Sequence, residues 1–136
     1  MQLNPYLNFN GQCKEAFTFY QQVLGGSIEA MMPHKGSPME NQTPADWQDK
    51  ILHARLVVDG MELMGSDSPP EYYKEPQGLY ISLGMNDPSE AERIFSALAE
   101  NGKVQMPIQQ TFWAIRFGML VDRFGIPWII NCDQAS

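Results

Sequence analysis

A chain of 136 residues with 43% apolar and 18% charged residues is long enough to bury a core and too apolar to be disordered. Its formal net charge is −7 and its nine Lys and Arg are scattered, which argues against a nucleic-acid partner, because a phosphate backbone needs a clustered basic surface. No apolar run approaches the roughly 18 residues of a membrane helix, and Met1-Gln-Leu-Asn-Pro5 lacks the basic and apolar blocks of a secretion signal, so no membrane partner is expected and the cytoplasm is the expected compartment.

Pro5-Tyr-Leu-Asn-Phe9 reads as a short strand, broken by Asn10-Gly11. From Cys13 to Leu24, the apolar residues Ala16, Phe17, Phe19, Tyr20, Val23 and Leu24 recur with helical spacing, and Gly25-Gly26 ends the helix. Ser27–Met32 is a second strand. Residues 33–49, with Pro33, Pro38 and Pro44, form a long loop carrying a helical turn near Ala45–Asp49; loops of this length often serve as binding segments. Ile51–Val58 and Met61–Gly65 are strands joined at Asp59-Gly60, a hairpin signal. The stretch from Asp67-Ser-Pro-Pro70 to Pro76-Gln-Gly78 reads as a proline-rich linker.

The second half repeats the order. Leu79–Leu83 is a strand. Asp87-Pro88-Ser89-Glu90 is a strong helix start, followed by the apolar stripe Ala91, Ile94, Phe95, Leu98 and Ala99 and stopped by Asn101-Gly102. Val104–Met106 is a short strand before Pro107. Thr111 to Asn131 reads as two aromatic strands joined by the tight Asp122-Arg-Phe-Gly125 turn. The chain is expected to be a single domain, 1–136, with module one at 1–67, a linker at 68–78 and module two at 79–133.

The order β-α-β-β-β, twice, resembles the vicinal oxygen chelate superfamily of glyoxalases, bleomycin-resistance proteins and dioxygenases, and most closely its PhnB-like branch. The residues carrying the resemblance are Pro5-Tyr6-Leu7-Asn8-Phe9, Glu15-Ala16 with Phe19-Tyr20, Leu24-Gly25-Gly26, Asp59-Gly60, Thr111-Phe112-Trp113, Arg116-Phe117-Gly118, and Asp122-Arg123-Phe124-Gly125 with Trp128. Members usually have Gly after that Trp; Ala114 stands here instead. The resemblance implies an α+β fold of two βαβββ modules forming curved mixed sheets around a cavity, and a homodimer.

The superfamily enzymes hold a divalent metal with His, Glu or Gln from the first and last strands of each module. Here those strands offer Tyr6 and Asn8, then Leu63 and Met64, then Tyr80 and Ser82, then Trp128, Ile129 and Ile130. Glu62 is read as one position out of phase, and a one-residue shift moves a side chain to the opposite face. The usual ligand set therefore reads as lost, and no cofactor is expected. Two histidines remain: His34 in the long loop, read as exposed, and His53, which alternates with Arg55 and Val57 on one strand face. A ligand-facing imidazole supplies an acid or a base near neutral pH.

The expected ligand-binding residues are Tyr6, His53, Tyr80, Trp113, Arg116 and Trp128. Arg116 among aromatics suits an anionic group through its bidentate fork, against the plain alternative of a surface ion pair. Trp113 and Trp128 suit a pocket wall, against the plain alternative of core filling. The cysteines, Cys13 and Cys132, match no zinc spacing and read as free thiols. No glycine-rich loop follows a strand to hold a nucleotide-like cofactor, so methyl transfer is not the expected chemistry. The expected function is metal-free binding of a small aromatic or anionic molecule. The alternative is a divalent-metal-dependent lyase or dioxygenase using His53 with Glu62 or Glu29.

Overall fold

The computed structural model describes residues 1–133. The chain divides into two compact units, Met1–Lys74 and Glu75–Ser136. The first contains β1 (Tyr6–Phe9), α1 (Cys13–Leu24), β2 (Ser27–Pro33), β3 (Ile51–Val58) and β4 (Met61–Asp67). The second contains β5 (Ile81–Met85), α2 (Pro88–Ala99), β6 (Lys103–Gln109), β7 (Ala114–Val121) and β8 (Pro127–Asp133). Each unit is a four-stranded sheet with one long helix, ordered β1-β4-β3-β2 and β5-β8-β7-β6. The first strand of each sheet pairs in parallel with the last, and the other pairs are antiparallel. This is the expected α+β fold of two βαβββ modules with mixed sheets.

Each helix buries one stripe against its own sheet. In α1 the buried residues are Cys13, Ala16, Phe17, Tyr20 and Val23, while Phe19, expected in the core, is only half-buried. In α2 they are Ala91, Ile94, Phe95 and Leu98. Asp87 caps α2, its carboxylate accepting from Ser89 N at 2.9 Å, and Pro88 opens the first turn. Two glycines let helix and sheet approach. A Cβ at Gly65 would stand 2.9 Å from Phe17 Cε1, and one at Gly118 would stand 2.6 Å from Phe95 Cε2.

Two buried carboxylates tie backbone to core. Asp67 accepts from Cys13 N at 2.9 Å and Ile51 N at 2.8 Å, so it fastens the start of α1 to the start of β3. Asp122 accepts from Phe124 N, Ile126 N and Trp128 Nε1 at 2.8, 3.0 and 2.9 Å, which closes the turn between β7 and β8. β4 runs past the expected strand end at Gly65 to the buried Asp67, whose carboxylate satisfies one amide at the start of α1 and one at the start of β3.

Other boundaries differ from expectation for local reasons. The strand expected at Leu79–Leu83 sits two residues later, where Ile81, Leu83 and Met85 pair with Trp128, Ile130 and Cys132. The strand expected at Val104–Met106 runs on to Gln109 through Pro107. It is an edge strand, and its register shifts between Met106 and Gln109, so the missing Pro107 N–H breaks no regular ladder. Thr111–Trp113 is not strand but a tight connection, with Thr111 N donating to Ala114 O and Ala114 N to Thr111 Oγ1, at 3.0 and 3.1 Å. The long loop before β3 is pinned by Lys35 N to Gln48 O at 2.9 Å and carries short 3-10 turns at Glu40–Gln42 and Ala45–Trp47.

Candidate functional site

Strand alternation assigns each sheet a helix-covered face and an open face. In the first sheet Leu7, Phe9, Ala54, Leu56, Leu63 and Asp67 are buried on the helix side, and Gly65 meets Phe17 there. The alternate residues therefore share the open face: Tyr6 and Asn8 from β1, His53, Arg55 and Val57 from β3, and Glu62, Met64 and Ser66 from β4.

These side chains touch one another. Tyr6 Oη lies 3.2 Å from His53 Nδ1, and the two rings stack with centroids 5.8 Å apart at 26°. Arg55 Nη1 donates to Glu62 Oε1 at 2.6 Å, and Asn4 Nδ2 donates to Glu62 Oε2 at 3.4 Å. Ser66 Oγ donates to Asn8 Oδ1 at 3.4 Å. Met64 stands in register with both Tyr6 and Arg55 on this face.

Glu62 corrects the sequence reading. It is not out of phase with His53. The Asp59-Gly60 turn pairs Val58 with Met61 and Val57 with Glu62, and directly paired residues share a face. His53, Arg55 and Val57 alternate on one side, so counting across that two-residue hairpin places Glu62 with them.

In the second sheet, Leu120, Trp128, Ile130 and Cys132 are buried on the helix side. Trp128 is 1% exposed and donates its indole N–H to Asp122, so it is a core residue and not part of an open surface. Arg116 is also on the helix side. Its Nε donates at 2.9 Å to Glu92 of α2, the surface ion pair of the plain alternative. The open face carries Ser82, Phe117, Met119, Ile129 and Asn131. Tyr80, just before β5, donates to Gln105 Oε1 on β6, the opposite edge strand, at 3.0 Å. Trp113 is half-exposed and packs edge-on to Phe112 at 4.7 Å and Phe117 at 5.3 Å. Phe112, Phe117 and Arg55 are not among the ligand-binding residues expected from sequence; for Arg55, strand alternation with His53 is the available signal.

Among the described residues no group of three or more His, Cys, Asp and Glu is placed to hold an ion. On the first open face His53 Nδ1 meets Tyr6 Oη, and Glu62 Oε1 accepts from Arg55. His34, the other histidine, turns its Nδ1 to the Lys50 carbonyl at 3.0 Å. No described helix is long and apolar enough to cross a membrane.

The sequence matches the family model described as 3-demethylubiquinone-9 3-methyltransferase over residues 1–131. The chain belongs to this PhnB-like family. It is 36% identical to Protein YjdN of Escherichia coli over 139 residues, covering 96% of this chain and 95% of that protein. Its fold matches the crystal structure of PA1353 from Pseudomonas aeruginosa with a TM-score of 0.91, 55% identity and 99% coverage of both chains. A PhnB protein from Bacillus cereus is similar with a TM-score of 0.82 at 21% identity, covering 97% of this chain and 99% of that one. The fold of the family is thus that of the glyoxalase, bleomycin-resistance and dioxygenase superfamily, as the sequence resemblance implied.

Proposed function

We propose that this member of the family is a cytoplasmic homodimer that binds a small organic molecule, without the metal ligands usual for its fold and without another cofactor. The observation that supports this most is the open face of the first sheet. Tyr6, Asn8, His53, Arg55, Glu62 and Ser66 form three hydrogen-bonded pairs there, on the side of the sheet that α1 does not cover. The second sheet by itself carries Tyr80, bonded to Gln105, and an aromatic group of Trp113, Phe112 and Phe117. Arg55 lies on this face, paired with Glu62, whereas Arg116 lies on the helix side of its own sheet.

A thermal-shift screen of diverse small molecules tests this reading. At least one class is expected to raise the melting temperature of the wild type and to lose that effect in Tyr6→Phe and His53→Ala. A ligand whose effect survives both changes would place binding elsewhere. Sedimentation velocity at micromolar concentration is expected to give twice the 15.4 kDa chain mass.

The second reading, a divalent-metal-dependent lyase or dioxygenase using His53, has one observation in its favour: Glu62 shares the face of His53. Calorimetric titration with zinc and manganese separates the two. Stoichiometric, tight binding that His53→Ala abolishes would favour the metal enzyme.

A further inference from the structure

We infer that the ligand of the first open face is an uncharged, planar molecule carrying an amide-like or hydroxyl hydrogen-bonding group; this rests on the small-molecule reading above. The sequence alone left aromatic and anionic ligands equally open. The charges on the face decide between them. Its arginine is matched: Arg55 lies 2.6 Å from Glu62, whose other oxygen is held by Asn4. An arriving anion has to displace an intramolecular carboxylate before it gains a guanidinium. Glu29, exposed at the bulge of β2, brings a further negative charge to this sheet, and the whole chain carries −7. Both repel an anion. Arg116, the arginine the sequence suggests as a clamp, is held by Glu92 on the helix side of its own sheet.

The groups that remain suit a flat ring. Tyr6 is 47% exposed and its ring is already stacked on His53, so one more ring extends an existing stack. Met64, in register between Tyr6 and Arg55, offers a polarisable thioether to the ring edge. Asn8 and Ser66, only 3.4 Å apart, supply an amide and a hydroxyl to the ligand's polar group.

Benzamide and benzoate have nearly the same shape and differ in charge, so the two probes test the inference directly. NMR titration of the wild type is expected to shift the Tyr6 and His53 signals with benzamide, and benzoate is expected to bind at least about tenfold more weakly. Glu62→Gln frees Arg55 and is expected to strengthen benzoate binding by about tenfold, with benzamide little changed. Benzoate binding as well as benzamide in the wild type, or benzamide binding without moving Tyr6 and His53, would overturn the charge argument. Benzoate binding alone would do so while leaving the small-molecule reading intact. Neither probe binding at millimolar concentration would count against both.

Discussion

Arg55 and Glu62 neutralise each other across neighbouring strands, with Nη1 2.6 Å from Oε1 on the open face of the first sheet. Their side chains keep 38% and 21% of their exposure, so water screens the pair. Glu62→Gln is therefore expected to change the free energy of unfolding by less than about 1 kcal/mol, read from urea titration. A loss of several kcal/mol would mark the pair as a structural clamp and remove the reason to assign it to ligand selection.

Asp122 is a different kind of carboxylate. It is 3% exposed and accepts from two backbone amides and the Trp128 indole. Removing it strands buried donors. Asp122→Ala is expected to cost at least roughly 1.5–3 kcal/mol, the range for one charge-assisted hydrogen bond, with a visible change in tryptophan fluorescence. A change below 0.5 kcal/mol, on the order of an ordinary surface substitution, would mean that the turn holds without it.

Cys13 links stability to alkaline pH. Burial first, and the nearby Asp67 carboxylate second, push its thiol far above the usual range. The folded chain thus holds this proton more tightly than the unfolded chain does. Below the free thiol's value of roughly 8.5 both states are protonated and the stabilisation is complete. Above it the unfolded chain ionises first, so stability falls as pH rises towards the folded value. The urea midpoint is expected to drop more steeply between pH 8 and 10 in the wild type than in Cys13→Ala. Equal slopes would contradict the assignment. The native thiol is also expected to react slowly with iodoacetamide at pH 8.

Two positions on the helix side of the second sheet separate packing from surface charge. Leu98 is fully buried in α2, and Leu98→Ala is expected to cost roughly 2–5 kcal/mol. Arg116 pairs with the half-exposed Glu92, and Arg116→Ala is expected to cost less than about 1 kcal/mol while leaving ligand affinity unchanged. A large affinity loss in Arg116→Ala would restore it as an anion clamp.

Much of the fold was legible because its signals are local. Helical spacing and capping residues marked α1 and α2 at the residues where the structure has them, and Asp59-Gly60 and Asp122–Gly125 marked the two hairpins. Errors arose where tertiary pairing overrides local pattern. Asp67 looks like a linker residue beside Ser68-Pro69-Pro70, yet two distant amides draw it into the core. Pro107 looks like a strand end, yet an edge strand with shifted register tolerates it. The candidate site was legible in part. Tyr6 and His53 were singled out from sequence and lie in contact. Arg116 and Trp128 look like pocket residues because an aromatic strand does not reveal which of its faces a helix covers. Glu62 was misplaced because its phase depends on the hairpin register rather than on its own strand.

A crystal structure of the protein purified directly from cells tests the central claim most directly. Density for an uncharged organic molecule against Tyr6 and His53, with the Arg55–Glu62 pair intact, is the predicted result. A cation coordinated by His53 and Glu62, with Arg55 turned away, would contradict it.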